Sequence, residues 1–137
     1  MRILTGIAVV IIAVTAAAQT KPGAGKAIDL TQVIKDLEGK PLADSSDKDG
    51  KPIPITLGDA IVKALEANLP EDANAAGLAK FERDALALRV YKHNSVTLTA
   101  DEVTMIKERV GRYGSTRLVG VVWRMLDPSL DKGEVSK

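Results

Sequence analysis

The chain has 137 residues, a formal net charge of +1, 45% hydrophobic, 27% charged and 3% aromatic residues, and no cysteine. Zero cysteine excludes disulfide scaffolds, thiolate zinc sites, iron–sulfur clusters, a cysteine nucleophile and a lipid-modified N-terminal cysteine, and a single histidine, His93, excludes multi-histidine metal sites. Four aromatic residues, Phe81, Tyr91, Tyr113 and Trp123, are too few for a stacking platform, so one domain with an aliphatic core is expected.

The N-terminus carries the three parts of a secretory signal in order. Met1-Arg2 is a short positive start, Ile3 to Val14 an apolar stretch, and Ala16-Ala17-Ala18 a small-residue site before Gln19. The apolar stretch is shorter than the roughly 20 residues of a spanning helix, so residues 1–18 are expected to be removed between Ala18 and Gln19. Membrane contact is then expected only if that segment stays uncleaved. Cleavage removes Arg2 and leaves 18 basic and 18 acidic side chains. The expected location is periplasmic or secreted; a misassigned start codon ahead of a cytoplasmic domain is the alternative.

Residues 19–27 read as a Pro/Gly/Lys-rich tether and residues 28–128 as the folded domain. From Ile28 to Leu42 the apolar spacing suits strand or helix, and the turn around Gly39 favours a short hairpin. Ala43 to Lys51 is a polar loop by composition. Pro52-Ile53-Pro54-Ile55 is extended and, lacking two amide donors, fits only a sheet edge.

Helical signals follow. Thr56 with Asp59 forms a capping box, and Ile61, Val62, Leu65 and Leu69 make a stripe, predicting a helix over 57–68 that Pro70 ends. Asn74 is the expected cap of a second helix. Its apolar face would carry Leu78, Phe81, Ala85, Leu86 and Leu88, with Lys80, Glu82, Arg83, Asp84 and Arg89 outside it. Thr99 and Glu102 form a second capping box, leading a stripe of Val103, Ile106, Val110 and Tyr113. A last helix over 116–126 buries Leu118, Val119, Val122, Trp123 and Leu126 before Asp127-Pro128, and residues 129–137 read as a loose tail. The expected fold is α+β and mainly α, with about four helices and a short N-terminal β-hairpin or extended edge.

The runs Thr56-Leu57-Gly58-Asp59-Ala60, Lys80-Phe81-Glu82-Arg83, Leu86-Ala87-Leu88, Leu98-Thr99-Ala100-Asp101-Glu102 and Trp123 to Pro128 resemble a family of small uncharacterised bacterial proteins often found in prophage regions. The resemblance spans roughly 28–128 and rests on caps and apolar stripes. It implies a compact domain in a phage-type context and brings no activity or catalytic residue. The signal-like front end departs from it.

Candidate chemistry is sparse. Ser45 to Gly50 matches half of a calcium loop, but a serine stands at its first ligand position and Thr56 at its twelfth, so a solvated turn is the better reading. His93 falls at a helix end with no partner at nucleophile or ligand spacing. Gly23-Ala24-Gly25 lies in the tether without the spacing of a phosphate loop, and the carboxylates lie adjacent or at helix starts. No catalytic residue, metal or cofactor is expected.

Charge is unevenly placed. Residues 28–79 hold five lysines against ten acids, and residues 80–124 hold nine basic against five acidic residues. Packing of the halves against each other is the simple account. A sharper one makes Lys107, Arg112, Arg117 and Arg124 a basic face for a partner. The sequence therefore predicts an exported, non-enzymatic interaction or accessory domain with a protein partner. The alternative is a cytosolic prophage accessory protein that binds nucleic acid or a phage component through that basic face. Residues 102–126 match a helix-turn-helix poorly, because Arg112 and Arg117 fall where apolar residues are needed if Gly111 is the turn.

Overall fold

The computed structural model describes Gly25 and residues 27–132. The expected signal segment, the Ala18–Gln19 cleavage site, most of the tether and residues 133–137 lie outside the described residues.

The described chain is α+β and mainly α. Strand β1 (Ala27–Asp29) leads to an irregular extended stretch, then β2 (Ala43–Ser46) and β3 (Pro52–Pro54). Helix α1 (Leu57–Glu66) is followed by a 3₁₀ turn (Pro70–Asn74) and α2 (Gly77–Val90). Strand β4 (Ser95–Thr97), α3 (Ala100–Tyr113), α4 (Thr116–Leu126) and a second 3₁₀ turn (Pro128–Lys132) complete it.

Local chemistry accounts for the helix boundaries. The Thr56 hydroxyl accepts from the Asp59 amide while the Asp59 carboxylate accepts from the Thr56 amide, and Thr99 with Glu102 repeats the exchange at α3. Each satisfies two amides that the first helical turn leaves without partners. Ser115 caps α4, which spans the expected 116–126. The α3–α4 turn needs a glycine at 114 for space, since a β-carbon there would stand 3.1 Å from the Val110 carbonyl oxygen and 2.9 Å from Leu118 Cδ2.

Helix α1 is the centre of the core. Its Leu57, Ala60, Ile61, Ala64 and Leu65 are buried with Leu86, Ala87 and Val90 of α2, Ile106 and Val110 of α3, and Val122 and Leu126 of α4. Leu30, Ile34 and Leu98 close the end nearest the strands. Trp123 is half-buried, its indole N–H donating to the Lys107 carbonyl at 3.1 Å.

Several expectations are corrected. β1 does not return on itself: Ile28 pairs with Val96 of β4, an antiparallel partner that lies distant in sequence. The turn at Gly39 does reverse the chain, through a single bridge between Lys35 and Pro41, with the Asp36 carboxylate accepting from the Glu38 and Lys40 amides. The developed hairpin is β2–β3, so the first half of the expected polar loop is strand. Asn74 ends a 3₁₀ turn instead of capping α2, whose N-cap is Ala76. Residues 128–132 form a 3₁₀ turn packed on α4, shortening the expected loose tail.

The expected apolar face of α2 is the largest correction. Leu86, Ala87 and Val90 turn inward, whereas Leu78, Phe81 and Leu88 point outward, and Arg83, expected outside, has its side chain largely covered.

Candidate interaction surface

The four basic residues singled out by sequence are each engaged with the chain itself. Lys107 Nζ lies 3.7 Å from the Asp127 carboxylate and 4.9 Å from the centre of the Trp123 ring. Arg112 pairs with Glu71 at 2.9 Å. Arg117 donates to the Lys35 and Asp36 carbonyls at 3.0 and 3.1 Å, and Arg124 pairs with Asp131 at 3.1 Å. Arg117 and Arg124, seven residues apart on α4, border one hollow. Lys107 and Arg112 sit apart from it, beside Trp123 and Glu71 respectively.

Cross-pairing of the two charge-biased halves continues inside. Asp72, 5% exposed, and Arg109, 7% exposed, are buried together where α1 ends. Arg109 forks onto both Asp72 carboxylate oxygens at 3.0 Å and also donates to the carbonyls of Ala64 and Ala67. Arg83 and the Leu69 amide complete the shell at 2.7 and 2.8 Å. The Arg109 guanidinium foremost, then the Leu69 amide and Arg83, hold the Asp72 carboxyl well below the usual carboxylate range against the opposing effect of burial. Arg109 thereby holds the turn after α1 against α3, and Arg83 ties α2 to the same carboxylate. Among the described residues, no buried side-chain nitrogen or oxygen lacks a hydrogen-bond partner.

Sequence reasoning missed Arg109 because it lies in phase with Ile106 and Val110 on the inward face of α3. An arginine three residues after Ile106 and directly before Val110 was the available signal.

The half calcium loop is a hairpin turn. Asp47 accepts from the Asp49 and Lys51 amides, both at 2.9 Å, and Gly50 at φ 78° takes the left-handed position that the turn needs. His93 is exposed, its Nδ1 3.0 Å from the Tyr91 carbonyl oxygen. It borders a hollow of about 410 Å³ with Thr31 and Asp59. Thr31 is bonded to Asp29, and Asp59 is occupied in the α1 cap. Among the described residues, no three histidine, aspartate or glutamate side chains gather to hold a metal ion, and no helix is long and apolar enough to cross a membrane.

The outer face of α2 is unlike these committed groups. Leu78 and Phe81 are each 68% exposed and Leu88 63%, with Ala85 half-buried between them. The 78, 81, 85, 88 spacing places all four on one side of the helix. Beside Phe81 and Ala85, a groove of about 260 Å³ runs between Leu86 of the same helix and Met105 of α3. Glu82 and Arg89 line its polar edge. Arg89 is held there by an ion pair with Glu102 and a 3.0 Å bond to the Thr97 carbonyl. Single exposed leucines are ordinary on soluble proteins, but a contiguous apolar stripe along a helix marks a contact surface.

Compared with known proteins, the chain matches no family model, no curated protein and no solved structure.

Proposed function

We propose that this chain is an exported, non-enzymatic interaction domain that meets a protein partner through the outer face of α2. The observation that carries the reading is the stripe of Leu78, Phe81, Ala85 and Leu88 on a helix whose opposite side already fills the core. Apolar contact with a protein uses such a stripe, whereas binding to nucleic-acid phosphates needs free cations. Lys107, Arg112, Arg117 and Arg124 are bonded to groups of their own chain, which favours the protein-binding reading over the nucleic-acid one. Export rests on Arg2, the apolar run from Ile3 to Val14 and the alanines before Gln19.

The test is site-specific photo-crosslinking in the native host, with the photoreactive residue at position 81 and, as a control, at Lys80. Adducts at 81 and none at 80, from a periplasmic chain beginning at Gln19, are expected. Equal yield at both positions, or none at either, overturns the interface. Recovery from the cytosol with Met1 retained overturns export and leaves the phage-type cytosolic context as the reading to pursue.

A further inference from the structure

We infer that the outer face of α2 is covered by a basic amphipathic helix of the partner protein. Its apolar seam lies on Leu78, Phe81, Ala85 and Leu88, and its lysines or arginines meet an acidic rim toward α3. The assignment rests on that face being an interface and adds the chemistry of its occupant. The stripe runs about 15 Å along α2 at 1.5 Å per residue, in alternating three- and four-residue steps that seat the side chains of a second helix. The groove of about 260 Å³ between α2 and Met105 adds apolar depth on one side. An added strand suits the site less, because the Thr97 carbonyl of β4 is already bonded to Arg89 at 3.0 Å.

The charges around the face select the partner's sign. On α3, Asp101 stands four residues before Met105 and Glu108 three residues after it, so all three share one side of that helix. Glu82 lines the α2 side of the groove. Glu82, Asp101 and Glu108 are exposed, and among the described residues none of them takes part in an ion pair. The cations on this side are already matched: Arg89 pairs with Glu102, and Arg112, seven residues after Met105, pairs with Glu71. On the opposite edge of the stripe, Lys80 and Asp84 lie one turn apart and offset each other. Lys92 follows the end of α2 and lies over the Tyr91 ring. The rim toward α3 is therefore net negative.

A helix with lysine or arginine beside its apolar seam meets this rim favourably, and attraction of that sign also speeds encounter. The same carboxylates disfavour two other occupants. A second copy packed antiparallel would bring its own acidic rim against this one, and an anionic lipid surface would be repelled. Rim pairs stay exposed to water, so each adds little affinity, and together they decide which helices are accepted.

Two synthetic amphipathic helices with the same leucine seam, one flanked by lysine and the other by glutamate, are titrated with the purified full chain and followed by fluorescence anisotropy. The lysine-flanked peptide is expected to bind roughly tenfold tighter, the order that three exposed ion pairs supply together, with the difference shrinking as salt rises. Glu82→Lys and Glu108→Lys are each expected to cut that preference several-fold, whereas Asp49→Lys, the same charge change in the β2–β3 turn, leaves it. Phe81→Ser is expected to lose binding of both peptides, and thermal melting checks that every variant is folded. Equal affinity for the two peptides overturns the acidic rim as the selector, as does a preference that Asp49→Lys lowers as much as Glu82→Lys. Binding of neither peptide overturns the helical occupant, as does Phe81-dependent cosedimentation with phosphatidylglycerol vesicles. In the photo-crosslinking assay, adducts at position 81 of twice the chain's mass assign the face to a second copy, overturning the basic partner while the interface stands; no adducts at 81 overturn the interface itself.

Discussion

Replacing Arg109 with methionine tests the buried cluster that ties the acidic half of the chain to the basic half. Methionine keeps much of the volume and the helix propensity of α3. It removes the donors now serving Ala64 and Ala67 at 3.2 and 2.6 Å, together with the fork onto Asp72. Both carbonyls lie at the end of α1, where no further turn of helix supplies amides. Removing one partner of a buried pair costs about 3–5 kcal/mol, because the remaining charge stays desolvated. At about 4 °C per kcal/mol for a domain near this size, the Arg109→Met melting temperature should fall by about 12–20 °C. Arg109→Lys should fall between the two, since a lysine keeps the charge and loses the fork. Urea unfolding followed by Trp123 fluorescence gives the free energies, with an unchanged slope showing that the native state is still compact. A loss below about 1 kcal/mol for Arg109→Met would refute the assigned role of the cluster.

Three further outcomes follow from the same packing. Asp72 stays ionised in the fold well below its ordinary value of 3.8, so it favours the folded state above that value and the benefit is lost as pH falls through the native pKa. Urea midpoints of Asp72→Asn should therefore fall less steeply than wild type between about pH 5 and 2; parallel curves would contradict this. Ile106→Ala, at a fully buried position, should cost about 2–5 kcal/mol in the same assay, and a loss within experimental error would show that α3 does not close the core. Thr99→Ala should cost about 1 kcal/mol through the lost cap on α3, measured against Thr104→Ala on the exposed side of the same helix.

The helices are legible in the sequence because their signals are local. Capping at Thr56 and Thr99 is complete within four residues, and Asp127-Pro128 stops α4 by its own geometry. β1 is only three residues long and nothing within it specifies Ser95–Thr97 as its partner, so the expected hairpin used the nearest apolar neighbours instead. The inward side of α2 is hidden for another reason: Leu78, Phe81 and Leu88 are as apolar as Leu86, Ala87 and Val90. Arg83 lies on the inward side, 2.7 Å from the buried Asp72, and that partner is eleven residues away in sequence. Periodicity shows that a helix is apolar on both sides; only tertiary partners decide which side the domain uses. For the same reason the basic residues of α3 and α4 could be named in sequence, but their ion pairs with Glu71, Asp127 and Asp131 could not.

Cysteine footprinting in intact cells tests most directly whether the outer face of α2 is covered when the protein is at work. Single cysteines at positions 78, 81, 85 and 88 are compared with controls at Lys80 and, in the β2–β3 turn, Lys48, each by its rate of maleimide labelling before and after the protein is purified and diluted. Several-fold slower labelling of the four stripe positions in cells, relieved on dilution and absent from the controls, is the expected result. Equal rates for stripe and control positions in cells would contradict an interface on α2.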